Sequence, residues 1–375
     1  MKFSIDATDF HQALKSAQSV VDAKPVRPIY ECVKIDADGA GITVTGGNSE
    51  QQISTYVEAA VEEEGSVAVP LKVLIGYIGM MSEDVKVKSD SVGNISLKSG
   101  TFKADIAGQD VDNYTVLSIN PEVQFTADAA KFSDAISSVV FAASTDQSYN
   151  KRIICSVHVE VDEGGQGVAV AISDILFARR FFSVNMLSED PVAINIPSAM
   201  VKPLCTALQG QEDFALCFDN HVVMVTAGNR TFIFPEVAGE YFNYRHILDF
   251  VQPDKFAKVD AQSLLNAIRF SIVSCKDGKE FRSKLLFNGS EQQMTIRTKS
   301  ATAHSDTDIG IEYAGEDLAI TFDIRSLQDI VNFCIESGAD DLEIALMAPG
   351  RVAAVRPLNG NDEYYGLITP ARTVD

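Results

Sequence analysis

Apolar residues fall on helical stripes at two places in each third of the chain. Phe10, Ala13, Leu14, Ala17 and Val21 follow the spacing of an amphipathic helix. Phe132, Ala135, Ile136, Val139 and Val140 repeat it, and so do Leu264, Ala267, Ile268, Ile272 and Cys275. A second stripe recurs as Leu74, Tyr77, Ile78 and Met81, then Val201, Leu204, Cys205 and Leu208, then Leu327, Ile330, Val331 and Cys334. Pro203, inside the middle member, predicts a kinked or shortened helix because proline removes a hydrogen bond. Each first stripe is preceded by a similar run: Phe3-Ser4-Ile5-Asp6, Phe125-Thr126-Ala127-Asp128 and Phe256-Ala257-Lys258-Val259-Asp260. Two stripes and one motif at a common period describe a threefold internal repeat.

Between the stripes the period drops to two. Gly41 to Thr45, Val168 to Ile172 and Met294 to Thr298 read as strands. Gly46-Gly47-Asn48, Gly164-Gly165-Gln166-Gly167 and Asn288-Gly289-Ser290 read as the turns between strands. Each copy is strand, helix, strands, helix, strands, which predicts an α+β fold with two helices packed on antiparallel sheet. Boundaries near Pro121 and Pro253 give domains 1–121, 122–252 and 253–375. At 375 residues and 46% hydrophobic content the chain has material for several cores. No apolar stretch is long enough to span a bilayer, and the opening residues lack a signal-peptide core, so a soluble, cytoplasmic protein without membrane attachment is expected.

The chemistry-bearing residues are scattered. Cys32, Cys155, Cys205, Cys217, Cys275 and Cys334 stand singly, mostly within apolar stripes or strands, and read as buried free thiols. His11, His158, His221, His246 and His304 form no ligand spacing, so neither a metal nor a cofactor is expected. Nucleophile-elbow and Walker patterns are missing. Gly164 to Gly167 is followed by strand-like sequence, which leaves no helix N-terminus to hold a phosphate. Acidic runs such as Glu62-Glu63-Glu64 read as solvated surface. Catalysis finds no support here.

A net charge of −21 argues against nucleic acid only while it is treated as a sum. Lys15, Lys72, Lys131, Lys202, Arg269 and Arg325 all sit on the helical stripes, whereas Glu83-Asp84, Asp162-Glu163 and Asp340-Asp341 sit in loops. Helices gathered about a common centre would make that centre far less acidic than the exterior.

Met1-Lys2-Phe3, Lys24-Pro25-Val26-Arg27-Pro28-Ile29, the run from Val61 to Pro70 and Lys279-Glu280-Phe281-Arg282 together resemble the bacterial sliding clamp, the beta subunit of DNA polymerase III. The resemblance spans the whole chain and includes its three copies and its length. It implies a head-to-tail homodimer, a ring of six similar domains with helices around a central hole and no enzymatic activity. Such a ring would encircle duplex DNA without regard to sequence, would tether the replicative DNA polymerase, and would be placed by a clamp loader. Two rival readings are a triplicated structural protein without DNA tethering, and a hydrolase built on a convergent carboxylate pair of perturbed pKa.

The resemblance also implies sites. Lys24, then Gln147, Tyr149, Asn150, Lys151 and Arg152, then Lys279 and Arg282 occupy the loops after the first helix of each copy and would approach the DNA backbone, with Lys202 on a helix. The family's peptide pocket corresponds to Ser173, Asp174, Ile175, Leu176, Phe177 and Ala178, to the segment Tyr241 to Ile247 with Phe242, His246 and Ile247, and to the tail Thr369, Pro370, Ala371 and Arg372. Ile154 and Val352 complete it. A His-Arg pair and two methionines usual in that pocket are missing here and Thr373-Val374-Asp375 extends the end, which implies a narrower partner set. Edge strands around Ala104 and Ile106 are expected to pair across the dimer junction, with Ile272 and Val273 packed against them.

Overall fold

Asp6, Asp128 and Asp260 each end a strand and start a helix. Asp6 accepts from the amides of Thr8 (2.8 Å) and Asp9 (3.1 Å), Asp128 from that of Lys131 (2.9 Å) and Asp260 from that of Ser263 (2.7 Å). A carboxylate there satisfies donors that the first helical turn leaves unpaired. The repeated motif is therefore a strand followed by an N-cap. Its apolar members alternate in the strand: Phe3 and Ile5, Phe125 and Ala127, and then Ala257 and Val259 are buried. Phe256 is 38% exposed, so the match to Phe3 and Phe125 is Ala257, one residue later than the aromatic suggests.

A computed structural model describes residues 1–22, 24–275, 281–359 and 363–371, with Tyr149 and Asn150 described by their backbone only. The first repeat runs β1 (Lys2–Ile5), α1 (Ala7–Gln18), β2 (Cys32–Asp38), β3 (Gly41–Gly47), β4 (Gln52–Glu58), β5 (Ala60–Glu63), β6 (Gly65–Pro70), α2 (Leu71–Ile78), β7 (Val85–Ser89), β8 (Ile95–Ser99) and β9 (Phe102–Ile106). The second runs β10 (Val123–Asp128), α3 (Ala129–Val139), β11 (Ser156–Val161), β12 (Gln166–Ile172), β13 (Leu176–Ser183), β14 (Asn185–Met186), β15 (Val192–Pro197), α4 (Ser198–Leu208), β16 (Asp213–Asp219), β17 (Val222–Ala227) and β18 (Arg230–Pro235). A short helix, α5 (Arg245–Asp249), lies between the second and third. The third runs β19 (Lys255–Asp260), α6 (Ala261–Val273), β20 (Arg282–Asn288), β21 (Gln293–Lys299), β22 (His304–Gly310), β23 (Glu312–Ala314), β24 (Leu318–Asp323), α7 (Ile324–Ile335), β25 (Asp341–Leu346), β26 (Ala353–Pro357) and β27 (Tyr364–Ile368). Pro121 and Pro253 fall in the irregular segments just before β10 and β19.

The chain divides into two compact units. One comprises Met1–Ser133, Val184–Asp190 and Ala199–Glu236; it holds a five-stranded sheet, β5-β1-β7-β8-β9, and a nine-stranded sheet, β14-β10-β16-β17-β18-β4-β3-β2-β6. The other comprises Asp134–Ser183, Pro191–Ser198 and Val237–Asp375; it holds the sheets β15-β11-β12-β13-β27-β26-β25-β19-β23 and β22-β21-β20-β24. Each nine-stranded sheet joins two repeats, the first by Arg230–Ile233 of β18 against Gln52–Thr55 of β4, the second by β27 against β13.

The helical stripes supply the cores: Phe10, Leu14, Phe132, Ile136, Leu264, Ile268, Leu327 and Ile330 are fully buried. The stripes overreach at their ends, since Val21, Val140 and Cys275 lie beyond their helices. Tyr77 belongs to α2 but is 44% exposed, so the stripe there is narrower than its spacing implies. Pro203 sits inside α4 without shortening it, for α4 has 11 residues, as α3 has. The carbonyl that Pro203 leaves without a helical donor is that of exposed Ala199, where water can serve. No helix among the described residues is long and apolar enough to cross a membrane.

Candidate nucleic-acid interface and partner pocket

Each of the six cations picked out from the stripes falls on a helix. Lys15, Lys72, Lys131, Lys202, Arg269 and Arg325 are all exposed there, while the same six helices carry only three acidic residues, Asp9, Asp134 and Asp329. Burial pushes the Asp329 carboxyl above its ordinary value, with nearby Asp323 adding to the shift. The helices thus carry a positive balance in a strongly acidic chain, and lysine or arginine on a solvated helix face can meet phosphates without reading bases.

Loop residues expected at DNA differ among themselves. Lys24, Gln147 and Arg152 are exposed. Lys151 is held by two carboxylates of its own unit, Asp174 at 2.5 Å and Asp146 at 3.5 Å, and the Asp174 hydrogen bond raises its pKa. Arg282 is half-buried at the start of β20, in register with Asp323, the N-cap of α7. Tyr149 and Asn150 lie on a short 3-10 helix, and Lys279 lies outside the described residues.

Several of the residues expected in the peptide pocket lie together in the second unit. Phe177, Tyr241, Tyr244, Ala354 and Leu367 form a buried cluster, against which Ile154, Ile247 and Val352 pack. β13 pairs with β27, bringing Phe177 opposite Leu367, while Leu176, opposite Ile368, points to the other face of the sheet and does not share this one. Leu176 and Phe177 are both buried. The rim is Ile175 (42% exposed), Phe242 (53% exposed) and His246, whose Nδ1 lies 3.8 Å from Asp249. Ser173 Oγ accepts from the Leu176 amide at 3.2 Å and shapes the turn. Thr369 donates its amide to Ile175 O at 2.8 Å, and Ala371 donates to Thr321 O at 2.8 Å, so the tail through half-buried Pro370 is pinned along this surface. Arg372 and Thr373–Asp375 lie outside the described residues.

A polar hub anchors the segment that carries Phe242 and His246. His158 Nδ1 meets Asn195 Oδ1 at 2.7 Å and its Nε2 meets Glu160 Oε1 at 3.0 Å, while its ring stacks on Tyr241 at 4.4 Å. Tyr244 and Arg245 both donate to Glu160, and Asn195 donates to the carbonyls of Val237 and Gly239. The His158 hydrogen bond, with those of Arg245 and Tyr244, lowers the Glu160 carboxyl to about 2. Sequence spacing missed this hub because His158, Glu160 and Asn195 are far from Tyr241 along the chain. The run of aromatics in Tyr241-Phe242-Asn243-Tyr244 was its one visible signal.

A third feature is apolar and exposed. Val73, Tyr77 and Met80 (79% exposed) on and after α2 stand with Phe102 (57%) of β9, and Phe270 and Val273 (both 58%) stand on α6. Of the expected junction residues, Val273 is exposed, Ala104 and Ile272 are half-buried, and Ile106 is buried.

Residues 1–118 match the family described as DNA polymerase III beta subunit, N-terminal domain. The beta sliding clamps of Streptococcus pneumoniae and Halalkalibacterium halodurans are 24% and 23% identical, with alignments covering 99% and 100% of both chains. The beta subunit of Streptococcus pyogenes superimposes with a TM-score of 0.90 at 21% identity over the whole of both chains. That of Thermotoga maritima does so with 0.90 at 16%. Over its first 118 residues the chain matches that domain, and over its whole length it is similar to bacterial beta sliding clamps and shares their fold. Sliding clamps are non-catalytic processivity factors, and the likeness to them favours that reading over the hydrolase one. Among the described residues no cluster of His, Cys, Asp and Glu is placed to hold a metal.

Proposed function

We propose that this chain is a DNA sliding clamp that closes into a head-to-tail homodimeric ring, encircles duplex DNA without regard to sequence, and tethers the replicative polymerase. Three domains, 1–121, 122–252 and 253–375, account for the repeated element order, and two chains supply the six domains of the ring. One observation carries the reading. The fourth sheet strand of the first repeat (β4) pairs with the last strand of the second (β18), and the fourth of the second (β13) with the last of the third (β27). The same pairing applied once more joins the fourth strand of the third repeat, β22, to the last strand of the first, β9. Both are open edges of their sheets. A second copy of the chain supplies each edge with its partner, and an unpaired edge is a liability that closure removes. The exposed apolar residues on α2 and α6 flank these edges, since α2 packs on β9 and α6 on β22.

On this reading the cationic helix faces and Lys24, Gln147, Tyr149, Asn150, Arg152 and Lys202 turn to the duplex, with Lys279 and Arg282 at the third loop. The cluster around Phe177, Tyr244, Ile247 and Val352, with Ile175, Phe242, His246, Thr369 and Pro370 at its rim, takes short apolar motifs from the polymerase and the clamp loader. The chain works in the cytoplasm, where the chromosome is. The test is topological: loaded protein should remain on closed circular DNA and leave within minutes once that DNA is linearised. Equal retention on both forms would overturn the proposal.

A further inference from the structure

The hydrogen bonds around His158 allow one arrangement of protons. His158 lies on β11, is 5% exposed, and has a partner at each ring nitrogen. The Asn195 amide nitrogen donates to the carbonyls of Val237 at 3.1 Å and Gly239 at 3.0 Å, and a carbonyl only accepts. That fixes the amide. Its Oδ1 is the atom 2.7 Å from His158 Nδ1, so Nδ1 must donate. Nε2 lies 3.0 Å from Glu160 Oε1. The His158 contact, then those of Arg245 and Tyr244, hold the Glu160 carboxyl at about 2, and an ionised carboxylate only accepts. Nε2 must donate as well.

A neutral imidazole donates only once. Either of its tautomers would set a ring lone pair against Asn195 Oδ1 or Glu160 Oε1, and a buried polar atom without a partner is costly. The ring also lies flat on Tyr241, with centroids 4.4 Å apart and planes 3° apart, where an aromatic face attracts a cation. The charged and titratable groups around it come from three elements. Glu160 stands on its own strand, and Tyr241, Tyr244 and Arg245 stand on the connecting segment. Across β12, where it faces Val170, Arg179 of β13 lies on the same face. The two arginines oppose a positive ring, and Glu160, in direct contact, offsets them.

Resting on the partner-pocket reading above, we infer that His158 is a buried imidazolium and a positioning residue for that pocket: its second proton holds the Glu160 carboxylate where it fixes the wall that carries Tyr244 and Ile247. Tyr244 donates to Glu160 Oε2 at 3.0 Å and packs on Phe177 with ring centroids 5.9 Å apart. Arg245, held by the same carboxylate, is the first residue of α5, and Ile247 is the third. Without the proton, a ring lone pair faces Glu160 Oε1 at 3.0 Å. The carboxylate then turns away, and Tyr244 and Arg245 lose their common acceptor. The proton favours the formed pocket, so its contribution to peptide affinity is present at low pH and is lost as pH rises and the ring gives the proton up.

Magnetic resonance of the protein carrying nitrogen-labelled histidine reads the charge. The His158 signal, assigned by its loss in His158→Gln and by through-space contacts to the Tyr241 ring in the wild type, should at neutral pH show two nitrogens of nearly equal shift, as an imidazolium does. In Glu160→Gln the same ring should become neutral, because the new amide donates to Nε2 while its oxygen still accepts from Tyr244 and Arg245. A neutral His158 in the wild type, or an imidazolium that survives Glu160→Gln, overturns the inference. Calorimetric titration with a polymerase-derived clamp-binding peptide reads the positioning. His158→Gln should bind severalfold more weakly than wild type at about pH 6, and the gap should close by about pH 9. Exposed His246 at the rim is present in both proteins, so its own titration cancels from the comparison. A gap that is missing, or that stays constant with pH, overturns the positioning role. A wild type that binds no peptide at any pH sinks the pocket reading and the positioning role with it, while the labelled ring still decides the charge of His158.

Discussion

Glu160 shows what one residue can organise. Its carboxylate receives His158, Arg245 and Tyr244, and through them it holds the segment bearing Phe242 and His246 beside the apolar cluster. Its pKa is lowered from 4.5 to about 2 in the folded protein, so its contribution to stability is present above 4.5 and is lost as pH falls through about 2. Glu160→Gln should therefore lower the melting temperature near neutral pH, and the gap from wild type should shrink steadily as pH falls from 4.5 towards 2. A gap that stays constant over that range would mean that the carboxylate charge is not what matters. Residues of this kind are the least legible in a sequence, because hydrogen bonds between positions such as Glu160 and Arg245 depend on tertiary placement. The repeated run ending in Asp6, Asp128 and Asp260 was legible for the opposite reason: each aspartate acts on an amide two or three residues away, so its place before a helix is a local matter.

Helices and strands were foreseen where the periodicity was strong, since burial on one side imposes it. The three first helices and the strands β3, β12 and β21 all stand where alternation and stripes put them. Neighbours of those strands could not be foreseen, because period two says which face is buried and nothing about what lies alongside. The pairing of β13 with β27 is such a case, and it decides that Phe177 faces the cluster while Leu176 does not. The C-terminal segment after β27 is tied by the Thr369 and Ala371 amides to Ile175 and Thr321. Deleting Thr369 to Asp375 should abolish binding of a polymerase-derived clamp-binding peptide and leave the dimer intact, because β27 and both open edges survive. Calorimetric titration with the intact and truncated chains checks this, and undiminished binding by the truncated chain would place the partner site elsewhere.

Across the whole molecule, the charge of −21 and a role at DNA are reconciled by local balance, since the six helices of the three repeats together carry six cations against three carboxylates. A ring needs only weak attraction for phosphates, because closure and not affinity keeps it on the duplex. Each lysine or arginine that displaces a bound counterion contributes about 0.9 to the salt dependence of binding. Lys24→Ala, Arg152→Ala and Lys202→Ala combined should lower the slope of log affinity for DNA against log salt by up to about 2.7, with no change in base preference. An unchanged slope would assign all three to ordinary solvated surface. Lys151 stands apart. Its counter-ions, Asp146 and Asp174, belong to the same polypeptide, so their local concentration does not change when the solution is diluted or salted. On the proposed ring, a phosphate arriving at Lys151 would have to displace a tethered competitor and would be readily exchanged for it again. There it would serve as a lubricated bearing, trading its own carboxylates for each passing phosphate at nearly constant energy and adding little drag as the duplex moves.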